Sequence, residues 1–90
     1  MLTSAPLEYP LIIRIRLFAH MAAHAGASAV TLEMPADCRL SDIPAALRQQ
    51  FPDLPWPAGT MLAVNQEYAP AAHPLKPNDE VAIIPPVSGG

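Results

Sequence analysis

The sequence predicts a small α+β protein in which a mixed sheet of four to five strands packs on one main helix. Short segments that alternate apolar and polar residues indicate half-buried strands. One segment instead spaces Ile43, Leu47 and Phe51 four residues apart, which is the pattern of a helical apolar stripe. The 90 residues, 51% of them hydrophobic, are enough for one domain around one core.

The first strand is predicted at residues 11–18, after a lead of residues 1–10 that shows no periodic pattern and is predicted to be disordered. The alternation gives this strand two different faces, one expected in the core and one outside it. The core face carries Leu11, Ile13, Ile15 and Leu17, and the opposite face carries Ile12, Arg14, Arg16 and Phe18.

A short helix and a second strand are predicted next. Residues 19–25 are rich in Ala and Met, which favour helix, and Gly26 stands where a C-terminal cap is expected. Residues 29–34 alternate apolar and polar side chains, which predicts a strand.

The main helix is predicted to open at Ser41 and to end at Phe51. Ser41 is a good N-cap, and Asp42 favours the positive end of the helix. Pro44 falls in the first turn, where its missing N–H costs no hydrogen bond, and Pro52 stops the helix.

A hairpin and a last strand complete the predicted sheet. The hairpin turns at residues 65–66, between a strand over 60–64 and a short piece around 67–69. The last strand spans 79–84, and Asn78 before it suits a left-handed turn position. The predicted domain therefore covers residues 11–84.

The six residues after the last strand form a predicted functional tail. Its two prolines cannot donate to a sheet ladder and favour extended geometry, so they predict a stiff stalk. Its two glycines are thin and flexible enough for a narrow channel, and the last carboxylate is open and ionised. At full extension the tail reaches about 20 Å. A terminus without function is the alternative. The tail consists of Pro85, Pro86, Val87, Ser88, Gly89 and Gly90.

Three segments of the chain resemble one known family. They are Asp-Glu-Val-Ala-Ile-Ile-Pro-Pro-Val-Ser-Gly-Gly at residues 79–90, Leu-Phe-Ala at 17–19 and Ala-Val-Asn at 63–65. Together they resemble the MoaD/ThiS family of ubiquitin-like sulfur carriers over most of residues 11–90. The Pro-Pro-Val-x-Gly-Gly ending favours the branch that forms the small subunit of molybdopterin synthase. One departure is Asn78, where many relatives carry Gly.

This resemblance implies a β-grasp fold and a chemistry centred on Gly90. A separate ubiquitin-activator-like adenylyltransferase would use ATP to adenylate the Gly90 carboxylate, and a sulfur donor would turn it into a thiocarboxylate. The tail would then enter the large synthase subunit, in an expected heterotetramer, where two carriers supply the dithiolene sulfurs to a cyclic pyranopterin precursor. The chain itself is expected to bind no cofactor and to have no active site of its own.

Charge and composition argue against several other classes of protein. The net charge of −3 argues against a nucleic-acid partner. No segment has the length or pattern of a membrane span or secretory signal. Cys38 is the only cysteine, so no internal disulfide is expected and the cytoplasm is the predicted location.

A docking surface is predicted beside the tail. Phe18, Arg14 and Arg16 share one face of the first strand, and Ala82 and Ile84 alternate away from the core set of the last. If the two strands are neighbours, these residues form an apolar and basic patch for the large subunit. A core packed on both faces is the alternative, but so small a domain has too few helices for it.

The remaining candidate residues favour structural roles. Cys38 has no His or Lys close in sequence, so a plain loop cysteine is favoured over a nucleophile. His20 and His24 are four residues apart, but His73 is distant, and surface positions are favoured over a metal site. Trp56, in a proline-rich loop, is predicted to cover the core rather than to bind a partner.

Three other functions stay open. The chain could carry sulfur for thiamine, cysteine or transfer-RNA thiolation. It could instead be a protein modifier that forms an isopeptide bond through Gly90, or a binding module whose tail has no chemistry. Deletion of Gly90 separates the binding module, which should keep its function, from the carriers and the modifier.

Overall fold

The computed structural model describes residues 10–86, which form a five-stranded sheet with two helices. The predicted lead up to residue 9 and the tail from residue 87 lie outside the described residues, so the domain limits stay predictions. The elements in chain order are β1 (Leu11–Arg16), α1 (Ala19–Ala25), β2 (Ala29–Met34), a 3-10 turn (Leu40–Asp42), α2 (Ile43–Gln50), β3 (Met61–Val64), β4 (Glu67–Tyr68) and β5 (Glu80–Ile84).

The sheet has the strand order β2-β1-β5-β3-β4. The central strands β1 and β5 run parallel, with Ile15 opposite Val81. The other pairs are antiparallel, and Ala63 on β3 lies opposite Ala82 on β5. The predicted mixed sheet, with the first and last strands side by side, is therefore confirmed.

The core lies between one face of this sheet and α2. The alternation predicted for β1 is observed, since Ile13 and Ile15 are completely buried. Val81 from β5 and Leu47 from α2 are buried to the same extent. Each such aliphatic side chain contributes about 1.5–3 kcal/mol by leaving water, so this layer holds the sheet and helix together.

The first strand ends two residues earlier than predicted. Beyond Arg16 the N–H of Leu17 donates to the carbonyl of Ser28 at 2.8 Å. Phe18 keeps extended backbone, but Ala19 has a φ of +52° and begins α1. The chain therefore leaves the sheet after Arg16 and begins a helix at Ala19, although the apolar and polar alternation of the sequence continues to Phe18.

Three turns at predicted positions have left-handed backbone conformations. Gly26 has a φ of +79° and caps α1, where its N–H donates to the carbonyl of Ala22. Asn65 and Gln66 have φ values of +50° and +75° at the predicted hairpin turn. Asn78 has a φ of +70° two residues before β5. Asn tolerates this conformation better than most residues, which explains why it can stand at both turns.

The predicted cap at Ser41 is wrong. A 3-10 turn over Leu40–Asp42 precedes α2, so Ser41 already lies inside a helical turn. The Asp42 carboxylate instead accepts the backbone N–H of Arg39 at 2.8 Å. The Ser41 N–H donates to the carbonyl of Ala71, which ties the start of the helix to a distant loop.

Trp56 covers the core as predicted. It is half-buried and packs against the core cluster from the loop between α2 and β3. Its outer side faces Arg48 of α2, whose guanidinium carbon lies 5.8 Å from the ring centroid. Within residues 10–86, no helix has the length and apolar character needed to span a membrane.

Candidate functional site: the open face of the sheet

The face of the sheet opposite α2 carries all five residues predicted for partner binding. Arg14 and Arg16 are exposed on β1, and the register places Arg16 beside Ala82 on β5. Phe18 follows β1 on the same side, and Ile84 ends β5 half-buried. The structure therefore brings the predicted set together on one surface, called here the open face. The alternative of a core on both faces is wrong.

The open face also collects the exposed large apolar side chains. A small domain rarely groups such residues on one side unless another molecule covers them. Sequence reasoning missed Met61 and Tyr68, which the observed strand registers place opposite two open-face residues, Ile84 and Ala63 respectively. Among residues 10–86, the exposed large apolar side chains are Ile12 (47%), Phe18 (40%), Met61 (50%) and Tyr68 (64%).

An apolar groove of about 250 Å³ crosses this face. Ala63 and Ala82 lie directly opposite each other in the strand register and both line the groove. Because their side chains are single methyl groups, the sheet surface is low at this point. Phe18, Tyr68 and Ile84 line the groove around them. The groove is thus shallow and mainly apolar.

One edge of the groove is basic. The Arg16 guanidinium nitrogen lies 4.0 Å from a Glu80 carboxylate oxygen, and its carbon lies 5.9 Å from the Phe18 ring centroid. The Arg16 side chain remains half exposed, so this pair contributes little to stability. Arg14 and Arg16 together line a second, polar depression of about 290 Å³. Glu80 also lines this edge, so two arginines and one glutamate give it a net charge of +1.

The root of the tail lies at the end of the groove. Ile84 lines the groove and is followed by Pro85, which is half-buried, and Pro86, which is exposed. Neither proline has an N–H, so the β5 ladder ends there. The rest of the predicted tail, residues 87–90, lies outside the described residues. A partner bound in the groove would hold the chain at the point where the tail begins.

The other end of β5 is held by hydrogen bonds of the Asp79 and Asn65 side chains. Asp79 is buried, and its carboxylate accepts hydrogen bonds from the Asn65 side chain at 3.0 Å and from the Lys76 N–H at 2.8 Å. The Asn65 side-chain oxygen in turn accepts the Glu80 N–H at 3.0 Å. This clasp joins the hairpin turn to β5 and so fixes the position of the open face.

Cys38 is buried in the core with 2% exposure. Burial raises the pKa of its thiol above the ordinary value of 9.0, and the neighbouring carboxylates of Asp42 and Asp37 raise that pKa further. The reactive thiolate is therefore scarce at neutral pH, and the thiol is shielded from solvent. This agrees with the predicted structural role.

The histidines do not come together in the described part of the chain. His20 and His24 are exposed on α1, and His73 is half-buried in the loop before β5. Within residues 10–86, no group of three His, Cys, Asp or Glu side chains is placed to hold a metal ion.

Comparisons with known proteins give one family match and two named relatives. The profile of the ThiS family matches residues 15–90. Two relatives are named molybdopterin synthase sulfur carrier subunit. The one from Arabidopsis thaliana is 35% identical over 79 residues, which cover 87% of this chain and 82% of the relative. The one from Dictyostelium discoideum is 37% identical over 81 residues, with coverages of 86% and 94%.

A solved structure gives the same result for the fold. The crystal structure of SAMP1 from Haloferax volcanii matches with a TM-score of 0.75 and 28% identity. The match covers 88% of this chain and 99% of that chain. The ubiquitin-like β-grasp fold expected from the resemblance is confirmed.

Proposed function

Because the chain belongs to the ThiS family, we propose that it is a sulfur carrier, the small subunit of molybdopterin synthase, which acts through the carboxylate of Gly90. The observation that carries this proposal is the pair of relatives with that name, 35% and 37% identical over most of the chain. The family match also extends through Gly89 and Gly90. The open face and the root of the tail supply a physical basis for delivery of the reactive group.

The proposed chemistry has two activation steps. A ubiquitin-activator-like adenylyltransferase binds ATP, and a Gly90 carboxylate oxygen attacks the α-phosphate while pyrophosphate leaves. A hydrosulfide ion supplied by a sulfur donor then attacks the acyl carbon, AMP leaves with the electron pair of the broken C–O bond of the P–O–C linkage, and the resulting thioacid loses a proton. The product is a thiocarboxylate on Gly90. The chain binds no cofactor of its own in this scheme, since the partner enzyme binds the ATP.

Delivery of the sulfur requires a partner that binds the open face and accepts the tail in its active site. We assign this role to the large subunit of the synthase, in a heterotetramer of two small and two large subunits. The apolar groove beside Phe18 and the basic edge at Arg14 and Arg16 would hold the folded domain, while Pro85 and Pro86 lead the tail away. The large subunit would contribute the pocket and the acid–base residues, and the carrier would contribute sulfur without an active site of its own. A reducing, ATP-containing compartment such as the cytoplasm suits this chemistry.

A reconstitution tests this role. The thiocarboxylated chain is mixed with a large synthase subunit and the cyclic pyranopterin precursor, and the dithiolene product is quantified. The proposal predicts two carriers consumed for each product molecule and no product from a chain lacking Gly90. Failure to form product with a large subunit that works with its own carrier would refute the molybdopterin assignment.

A protein modifier is the second candidate, and the likeness to SAMP1 favours it. A related structure is named small archaeal modifier protein 1, and it matches with a TM-score of 0.76 and 26% identity. A modifier would join Gly90 to lysines of other proteins. Lys76 is the only lysine of this chain, so a Lys76→Arg variant would remove self-conjugation without affecting transfer to other proteins. Covalent conjugates that persist under reducing denaturation and vanish on deletion of Gly90 would support the modifier.

A further inference from the structure

The loop before β3 provides a specific site for the second proline of the tail. Met61 lies opposite Ile84 in the antiparallel pair of β3 and β5. Continuing this register by two residues places Gly59 opposite Pro86. Pro86 has no N–H and cannot extend the hydrogen-bond ladder, so any contact between these residues must be one of packing.

Gly59 lies beside Pro86. A Cβ atom at position 59 would lie 3.4 Å from the Pro86 Cβ and 3.8 Å from its Cγ. Both are ordinary van der Waals distances, so a methyl group at position 59 would touch the Pro86 ring without displacing it. Gly59 also has a φ of +89°, which glycine adopts without strain.

The loop that carries Gly59 is braced on both sides. The Pro57 carbonyl accepts hydrogen bonds from the Thr60 hydroxyl at 2.6 Å and from the Thr60 N–H at 3.2 Å, which close a turn around Gly59. Trp56, at the start of this turn, packs against the core. The surface that Pro86 meets is therefore held by the folded domain.

We propose that Gly59 is a positioning residue for sulfur transfer: its bare backbone seats Pro86 and so sets the direction in which the tail leaves the sheet. The inference rests on the proposed function, because direction matters only if Gly90 must reach a partner's active site. Two further residues of stiff polyproline geometry preserve the direction of β5 beyond its last hydrogen bond. A side chain larger than a methyl group that extends toward the ring would push Pro86 aside and change the direction in which the tail leaves the sheet.

The contact itself is tested first, without any partner. In the free chain, nuclear Overhauser effects are measured between the Gly59 Hα protons and the Pro86 ring protons. The contact predicts clear cross-peaks in the native chain, and in Gly59→Asn it predicts shifted Pro86 ring resonances that Gly26→Asn does not produce. Asn is chosen because it tolerates a positive φ better than other side chains. Absence of the cross-peaks in the native chain would overturn the proposal whatever the chain's function.

The role in transfer is tested with a matched pair of variants. Gly26 has a similar φ of +79°, and a Cβ there meets nothing within 4 Å, so Gly26→Asn carries the same backbone change with no steric consequence. Initial rates of thiocarboxylate formation are measured with a fixed amount of activating enzyme over a range of carrier concentrations, which gives kcat and the KM for the carrier. We expect Gly59→Asn to lower kcat by about ten- to a hundredfold relative to Gly26→Asn, as misplacement of a reacting group by about 1 Å does, with KM unchanged.

Rescue by a conservative variant separates positioning from folding. In Gly59→Ala the methyl group only touches Pro86, so this variant should retain the kcat of Gly26→Ala. Equal kcat values for Gly59→Asn and Gly26→Asn would refute the positioning role of Gly59. If the native chain forms no thiocarboxylate with an active enzyme, the proposed function fails, and the nuclear Overhauser test still decides whether the contact exists.

Discussion

Truncation of Phe18 to Ala should weaken binding to the large subunit about 30-fold while leaving the fold intact. Phe18 is 40% exposed, and an aromatic side chain presents about 200 Å², so docking would remove roughly 80 Å² of this ring from water. At about 25 cal/mol per Å² this burial contributes about 2 kcal/mol. Each 1.4 kcal/mol changes Kd about tenfold, which gives the expected factor.

The assay is titration calorimetry of the large subunit with folded variants of the chain. Phe18→Asp should weaken binding further, because it also places a carboxylate in the apolar groove. Gln50→Ala, on the exposed end of α2, serves as a control that should leave Kd unchanged. Because Phe18 is only 40% exposed, roughly 120 Å² of its side chain is already buried in the free domain, and Phe18→Ala should lower the free energy of unfolding in urea by up to about 3 kcal/mol without unfolding the chain. A Kd for a folded Phe18→Ala within twofold of the native value would remove Phe18 from the interface.

Three further predictions concern the free domain. Asp79→Ala removes two hydrogen bonds to a buried carboxylate and should lower the free energy of unfolding in urea by about 2–3 kcal/mol. Gln66→Gly relieves a φ of +75° and should raise that free energy by about 0.5–1 kcal/mol after the entropy of glycine is counted. Because burial raises the pKa of the Cys38 thiol above 9.0, stability should be full below pH 9 and fall as pH rises through the folded-state value.

Each of these has a control within the chain. Asp53→Ala alters an exposed carboxylate and should be nearly neutral, so equal losses at positions 53 and 79 would contradict the role of the clasp. Gln49→Gly lies in α2 and should destabilise by about 1 kcal/mol, opposite in sign to Gln66→Gly. For Cys38, a Cys38→Ala variant should lose the alkaline decline. A native chain whose stability is flat from pH 8 to 11 would contradict the buried thiol.

Local patterns predicted most of the fold. The alternation in β1 and the helical spacing of Ile43 and Leu47 predicted the core, because burial on one face dictates these periods. Gly26 and Asn78 predicted left-handed turns correctly, since few residues tolerate a positive φ. Each of these signals is contained within a few neighbouring residues, and tertiary contacts do not override it.

The errors and omissions arise from contacts between distant segments. Ser41 has the chemistry of an N-cap, but its N–H bonds to Ala71, and a 3-10 turn takes the place of the predicted cap. Gly59 and Pro86 are 27 positions apart, and their contact exists only once β3 has paired with β5. Propensity and periodicity do not specify such contacts. The sequence therefore predicted which strand residues share the open face, but it predicted neither the groove nor the proximity of Gly59 to Pro86.

The most direct test of sulfur carriage is the intact mass of the chain after incubation with ATP, a ubiquitin-activator-like adenylyltransferase and a sulfur donor. The proposed function predicts a mass gain equal to the difference between sulfur and oxygen, located on Gly90 and absent when ATP is omitted or Gly90 is deleted. An unchanged mass, with an enzyme that modifies its own carrier in the same reaction, would contradict it.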